Sequence, residues 1–135
     1  MRLRDYFETR KGAGVLSTAD ANGQVNSAIY ARPHVADDGR IAFLMRERRS
    51  WHNVSENPNA SYLFMEQGAP YSGIRLKLQM DCEEFDEKLI LNMTRNWISP
   101  DEDAALGPKH LVYFNIESIR SLVGDEAPDL SWNLQ

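Results

Sequence analysis

The chain has 135 residues, of which 42% are hydrophobic and 26% charged, with a formal net charge of -5. That length fits one domain, 1–135, with enough chain to bury a core and too little for two. The acidic balance argues against nucleic acid or a membrane surface as partner, because either would need a broad basic face. Apolar runs are too short to span a bilayer and no leader pattern opens the chain, so a cytoplasmic location is expected. A lone cysteine, Cys82, excludes an internal disulfide. His34, His52 and His110 are scattered without ligand spacing, so no metal is expected.

Helical spacing runs from Arg4 to Lys11, with Leu3, Tyr6 and Phe7 on one side and Gly12 as the stop. Gly14 to Thr18 and Val25 to Val35 read as strands around Asp20-Ala21-Asn22-Gly23, where Asn-Gly suits a tight hairpin. After the turn Asp37-Asp38-Gly39, a third strand spans Arg40 to Met45. Ser50 to Glu56 is a short helix with Ser50 as the expected cap; Pro58 bars its continuation through Asn57. Ala60 to Glu66 returns as a strand.

The clearest signal is Ile74 to Glu83, where Ile74, Leu76, Leu78, Met80 and Cys82 alternate with Arg75, Lys77, Gln79, Asp81 and Glu83. One face lies in a core and one in water. Phe85, Leu89, Met93 and Trp97 then fall four apart, as on one side of a helix ending near Ser99-Pro100. Asp101 to Lys109 reads as a polar loop, Leu111 to Ile119 as the last strand, and Gly124 to Gln135 as a tail. The aromatic tail docks either on a partner subunit or on its own chain. Short connections exclude parallel crossovers, which leaves a mainly β fold: six antiparallel strands in a closed or partly closed barrel, with a few helices.

Three arginines, Arg46, Arg48 and Arg49, lie between the strand Ile41 to Leu44 and the helix that follows. A helix start offers unpaired N–H groups and the positive end of the helix dipole, so guanidinium groups there suit a phosphate or carboxylate. The alternative is a solvated basic run on an acidic protein.

Gly14-Val15-Leu16-Ser17-Thr18, Asn22-Gly23-Gln24, Asp38-Gly39-Arg40-Ile41, Arg49-Ser50, Asn57-Pro58 and the strand Ala60 to Phe64 follow one another in an order that resembles the pyridoxamine 5'-phosphate oxidase-like, FMN-binding split-barrel family. Gly73-Ile74-Arg75-Leu76 and Leu111 to Ile119 are similar in character to its short members. The resemblance implies a six-stranded, Greek-key split barrel that forms a homodimer and holds FMN at the interface. Carried over residue by residue, Ala28 to Pro33 match the family's second-strand phosphate segment, Phe43 to Arg46 the strand end beside the flavin, and Arg49-Ser50 its Arg-Lys pair. Arg and Lys of the family oxidase are replaced at Ala28 and Pro33, and Lys at Ser50; Arg46, Arg48 and Arg32 are the candidate substitutes. The long C-terminal segment with which the oxidase grips substrate has no counterpart, so the resemblance implies flavin binding more than that oxidase reaction.

The expected cofactor residues are therefore Tyr30 and Ala31, whose backbone passes the isoalloxazine; Leu44 on the adjoining strand; Arg46, Arg48, Arg49 and Ser50 at the phosphate; and Trp51, which either covers a flavin edge or staples the helix to the barrel. Tyr30 is equally suited to a core position. No catalytic acid or base is assigned, because the flavin carries the redox chemistry. The expected function is an FMN-dependent oxidoreductase acting on a small molecule, with reduced nicotinamide as a possible donor. The alternatives are a non-catalytic FMN or electron-transfer protein and a barrel binding another anionic cofactor, haem or deazaflavin.

Overall fold

In the computed structural model, residues 1–94 and 100–135 are described. The elements in chain order are α1 (Leu3–Thr9), β1 (Gly12–Ala19), β2 (Val25–Ile29), β3 (His34–Val35), β4 (Ile41–Arg46), α2 (Arg49–Glu56), β5 (Asn59–Glu66), β6 (Gly73–Glu84), α3 (Glu87–Met93), α4 (Pro100–Ala105) and β7 (Lys109–Ser121). The strands form one antiparallel seven-stranded sheet in the order β2-β1-β5-β6-β7-β4-β3. β2 and β3 lie at opposite edges, yet only Tyr30 to Pro33 separate them in sequence. The sheet therefore curls until its edges are one short linker apart. Phe43 of β4 meets Tyr62 of β5 across the interior at 5.0 Å between ring centroids, although two strands separate them in the sheet.

The seventh strand corrects the expected six. The sequence reads Val25 to Val35 as a single strand, but the chain leaves β1 after Ile29 and joins β4 at His34. Pro33 cannot donate to a ladder. The Arg32 guanidinium turns back to the carbonyls of Phe7, at 2.6 Å, and Arg10, satisfying acceptors at the end of α1. Ile74, Leu76 and Leu78 of β6 are buried and Lys77 and Gln79 exposed, as alternation requires; Met80 is only partly covered. Arg75 is also half-covered, its guanidinium donating to the carbonyls of Ser121 and Gly124.

Ser50 is not the cap of α2. Arg48 holds the cap position without a side-chain bond, and Ser50 lies buried in the first turn. Phe85 is 84% exposed and precedes α3, because the Asp86 side chain accepts the Leu89 N–H and starts the helix there. Leu89 and Met93 pack as expected with Ile90 over Leu111 and Tyr113; Trp97 lies outside the described residues. The expected polar loop contains α4, which has three acidic residues in its first turn. The tail docks on its own chain: Leu130 and Trp132 pack on the core, and Leu3 N–H donates to Ser131 O at 2.9 Å. Gly39 is required there, since its φ is +92° and a Cβ would lie 1.7 Å from the Trp132 carbonyl oxygen.

Candidate functional site

The linker between β2 and β3 forms one wall of a groove of about 700 Å³. Tyr30, Ala31 and His34 face Leu44 of β4 there, with Asn92 and Thr94 from the end of α3 at the rim. The local sequence accounts for this wall. Once Pro33 breaks the ladder, the backbone of residues 30–33 spans the barrel edges instead of pairing along them. Tyr62 fixes its height by donating its hydroxyl to the Tyr30 carbonyl at 3.0 Å, while Tyr30 N–H donates to Gly14 O at 3.0 Å.

Tyr30 also connects the groove to the basic turn. Its ring packs edge-on against Phe43 at 5.6 Å, and its phenol lies beside the Ser50 side chain under the influence of the Arg48 charge. Burial raises the phenol's pKa; Ser50 and Arg48 oppose that rise without cancelling it. Tyr30 thus serves the core and the groove at once. His34 sits in the same groove, where burial and then the charge of Arg4 hold its pKa below the ordinary value. A neutral imidazole results at neutral pH.

The expected phosphate residues divide into two sets. Arg48 and Arg49 are exposed, and among the described residues neither guanidinium has a hydrogen-bond or ion-pair partner. Arg46 points elsewhere. It donates to the carbonyl oxygens of Gly107, at 2.7 Å, and Asp103, at 3.2 Å, and pairs with the Asp103 carboxylate. Lys109, its register partner on β7, reaches the same carboxylate at 2.7 Å. Trp51 lies outside the groove, stacked on His110 with centroids 4.4 Å apart and 24° between planes. Its indole N–H donates to Glu83. Arg32, the other candidate substitute cation, is engaged at α1.

His34, Asn92 and Thr94 are groove residues that sequence reasoning did not find. His34 stands next to the strand-breaking Pro33, which in hindsight marks a departure from the sheet; nothing local marks Asn92 or Thr94. Among the described residues no group of three or more His, Cys, Asp or Glu side chains is arranged to hold a metal, and no helix is long and apolar enough to cross a membrane.

The arrangement offers an open groove lined by backbone and aromatic surface, with the uncommitted Arg48 acting on the phenol of Tyr30, one of its lining residues. No curated protein matches the chain. Among solved structures, an FMN-binding protein from Syntrophomonas wolfei subsp. wolfei is 17% identical with a TM-score of 0.68, over 91% of this chain and 85% of that one. An F420 reductase is 17% identical with a TM-score of 0.62, over 88% of this chain and 97% of its own. HutZ, the haem storage protein from Vibrio cholerae, is 19% identical with a TM-score of 0.58, over 90% and 95% of the two chains. At these identities the likeness is one of fold. The model of the pyridoxamine 5'-phosphate oxidase family matches residues 3–122, nearly the whole barrel, and the chain belongs to that family.

Proposed function

We propose that the chain is a flavoprotein that binds FMN, with the phosphate at Arg48, Arg49 and Ser50 and the ring in the groove of Tyr30, Ala31 and Leu44. The observation that carries this reading is the position of Tyr30, whose backbone lines the groove and whose phenol adjoins Ser50 and Arg48. One ligand with a planar body and an anionic end fits both. The residues pass the test of chemistry: a phosphomonoester carries about two negative charges, and two unpartnered guanidiniums with the N–H groups opening α2 match them. The groove's 700 Å³ lies in the usual range for small-molecule sites.

Bound there, FMN supplies hydride and electron transfer, and the reaction class is oxidoreduction of a small molecule. Tyr30 and Ala31 orient the ring through backbone groups, and Leu44 and Phe43 exclude water from its inner face. Arg46 belongs to the site only if Asp103 releases it.

A homodimer completes this reading. On the outer face of the sheet, Ile29, Val15 and Leu63 are register neighbours across β2, β1 and β5, with Val25 and Met65 on the same face. Val25 is 80% and Ile29 77% exposed, an unusual cost on an edge strand in water and a suitable surface for a second copy. Sedimentation at micromolar concentration should give twice the 15.4 kDa chain mass.

Haem or deazaflavin binding is the second reading, favoured by the capture of Arg46, which leaves fewer cations free than a family oxidase offers. The absorption spectrum of the purified protein, followed by titration with FMN and riboflavin, tests both. A flavin spectrum with tighter binding of FMN supports the first reading; a Soret band, or equal affinity for FMN and riboflavin, defeats it. Anaerobic mixing with reduced nicotinamides then distinguishes an enzyme from a carrier.

A further inference from the structure

His110 lies at the start of β7, outside the groove, with both ring nitrogens occupied by carboxylates. Nδ1 is 2.9 Å from Glu83 Oε2 and Nε2 is 2.9 Å from Glu47 Oε2. A carboxylate only accepts, so both nitrogens must carry hydrogen and the ring is an imidazolium. Its face stacks on Trp51, whose indole N–H donates to the other oxygen of Glu83. One ring thus ties the end of β6, the start of β7, the first turn of α2 and the β4–α2 turn together. Glu47 stands in that turn between Arg46 and Arg48.

We infer that His110 is a positioning residue for the anion-binding turn, coupling the uptake of one proton to anion binding at Arg48 and Arg49. The inference rests on the phosphate site proposed above. A neutral imidazole has one N–H, so deprotonation must release one of the two carboxylates. Glu83 keeps a donor in Trp51. Glu47 has no other hydrogen-bond or ion-pair partner among the described residues, so Glu47 is released. An unpaired carboxylate then stands beside the two cations, competing with a ligand anion for them and repelling it. The other charged or titratable groups around the ring are Arg46 on β4, Lys109 on β7 with its partner Asp103, Glu84 on β6, and Arg48, Arg49 and His52 on or beside the first turn of α2. Of these, His52 touches the Trp51 ring and bonds to neither Glu47 nor Glu83. Burial acts to lower the His110 pKa, but the hydrogen bonds and charges of Glu47 and Glu83 outweigh it and hold the value above the ordinary one.

Inorganic sulfate is the probe, because it keeps its double charge through the range in which a phosphate and a histidine both titrate. The His110 ring is followed by NMR with and without sulfate, and sulfate affinity is measured against pH at constant ionic strength. Sulfate should raise the His110 midpoint, and affinity should fall about three- to fivefold as pH rises through it, the scale of one exposed ion pair. His110→Gln should flatten the profile. Glu47→Gln should also flatten it while retaining the affinity seen at low pH, and His52→Gln should leave it as in the parent. Affinity that is flat through the His110 midpoint overturns the coupling alone, as does a midpoint unmoved by Glu47→Gln. No sulfate binding at any pH, together with equal affinity for FMN and riboflavin, overturns the phosphate site and the coupling together.

Discussion

The Tyr62 hydroxyl donates to the Tyr30 carbonyl at 3.0 Å, so a side chain from β5 sets the height of the linker that closes the barrel and forms the groove wall. Gly14 makes room for the pair: a Cβ there would lie 1.9 Å from the Tyr62 hydroxyl oxygen and 2.7 Å from Tyr30 O. Tyr62→Phe should cost about 1 kcal/mol in urea unfolding, the usual net value of one hydrogen bond. Gly14→Ala should cost about 1–3 kcal/mol as overpacking and weaken flavin binding with it. A neutral Gly14→Ala variant would show that the linker's position is set elsewhere.

Asn53 of α2 donates its side-chain amide to Thr18 Oγ1 at 3.0 Å, and both residues are buried. This bond fixes α2, and hence its first turn, against β1. Thr18→Val removes the acceptor and leaves a buried amide unsatisfied, at a cost of about 1–3 kcal/mol. In a double-mutant cycle with Asn53→Leu, the pair should cost less than the two single changes added. Simple additivity would show that the two side chains are not coupled.

Asp103 anchors α4 through Lys109 and Arg46. The hydrogen bond from Lys109, then that from Arg46, holds its carboxyl below the ordinary range. A depressed carboxylate stabilises above its unfolded pKa, about 4, and the effect is lost as pH falls through the lower folded value. Hydrogen exchange at Ala104 to Leu106 should therefore accelerate below about pH 4. It should also accelerate at neutral pH in Asp103→Asn. If Arg46 then turns to the ligand, the same variant binds FMN more tightly; exchange as slow as in the parent would show that α4 is held by other contacts.

Arg48→Ala and Arg49→Ala should each weaken FMN binding by about 1–2 kcal/mol, nearer the lower figure because both side chains are exposed and screened. Riboflavin affinity should hardly change. Added salt should loosen FMN in the parent and less in either variant. Equal losses for FMN and riboflavin would place the effect on the ring or the fold rather than on the phosphate.

Local pattern in the sequence determined a good deal of this protein. The alternation from Ile74 to Glu83 marks β6 because successive strand residues point to opposite faces whatever the strand pairs with. Pro58 ends α2, and the succession from Gly14 to Phe64 identifies the family. Tyr30, Ala31 and Leu44, which the family resemblance sets beside a flavin, all line the one groove. Only tertiary structure decided that Val25 to Val35 divides between two sheet edges, since curling of the sheet is a property of all the strands and leaves no local period. The same holds for charge: Arg46, Arg48 and Arg49 are alike in sequence, but Asp103, 57 positions on, captures the first and leaves the other two facing water. His110 looked like a scattered histidine until the register of β4, β6 and β7 brought Glu47 and Glu83 to its two nitrogens. Partners distant in the chain are chosen by strand register and closure, so a sequence read residue by residue carries the chemistry of each group but not the identity of its neighbour.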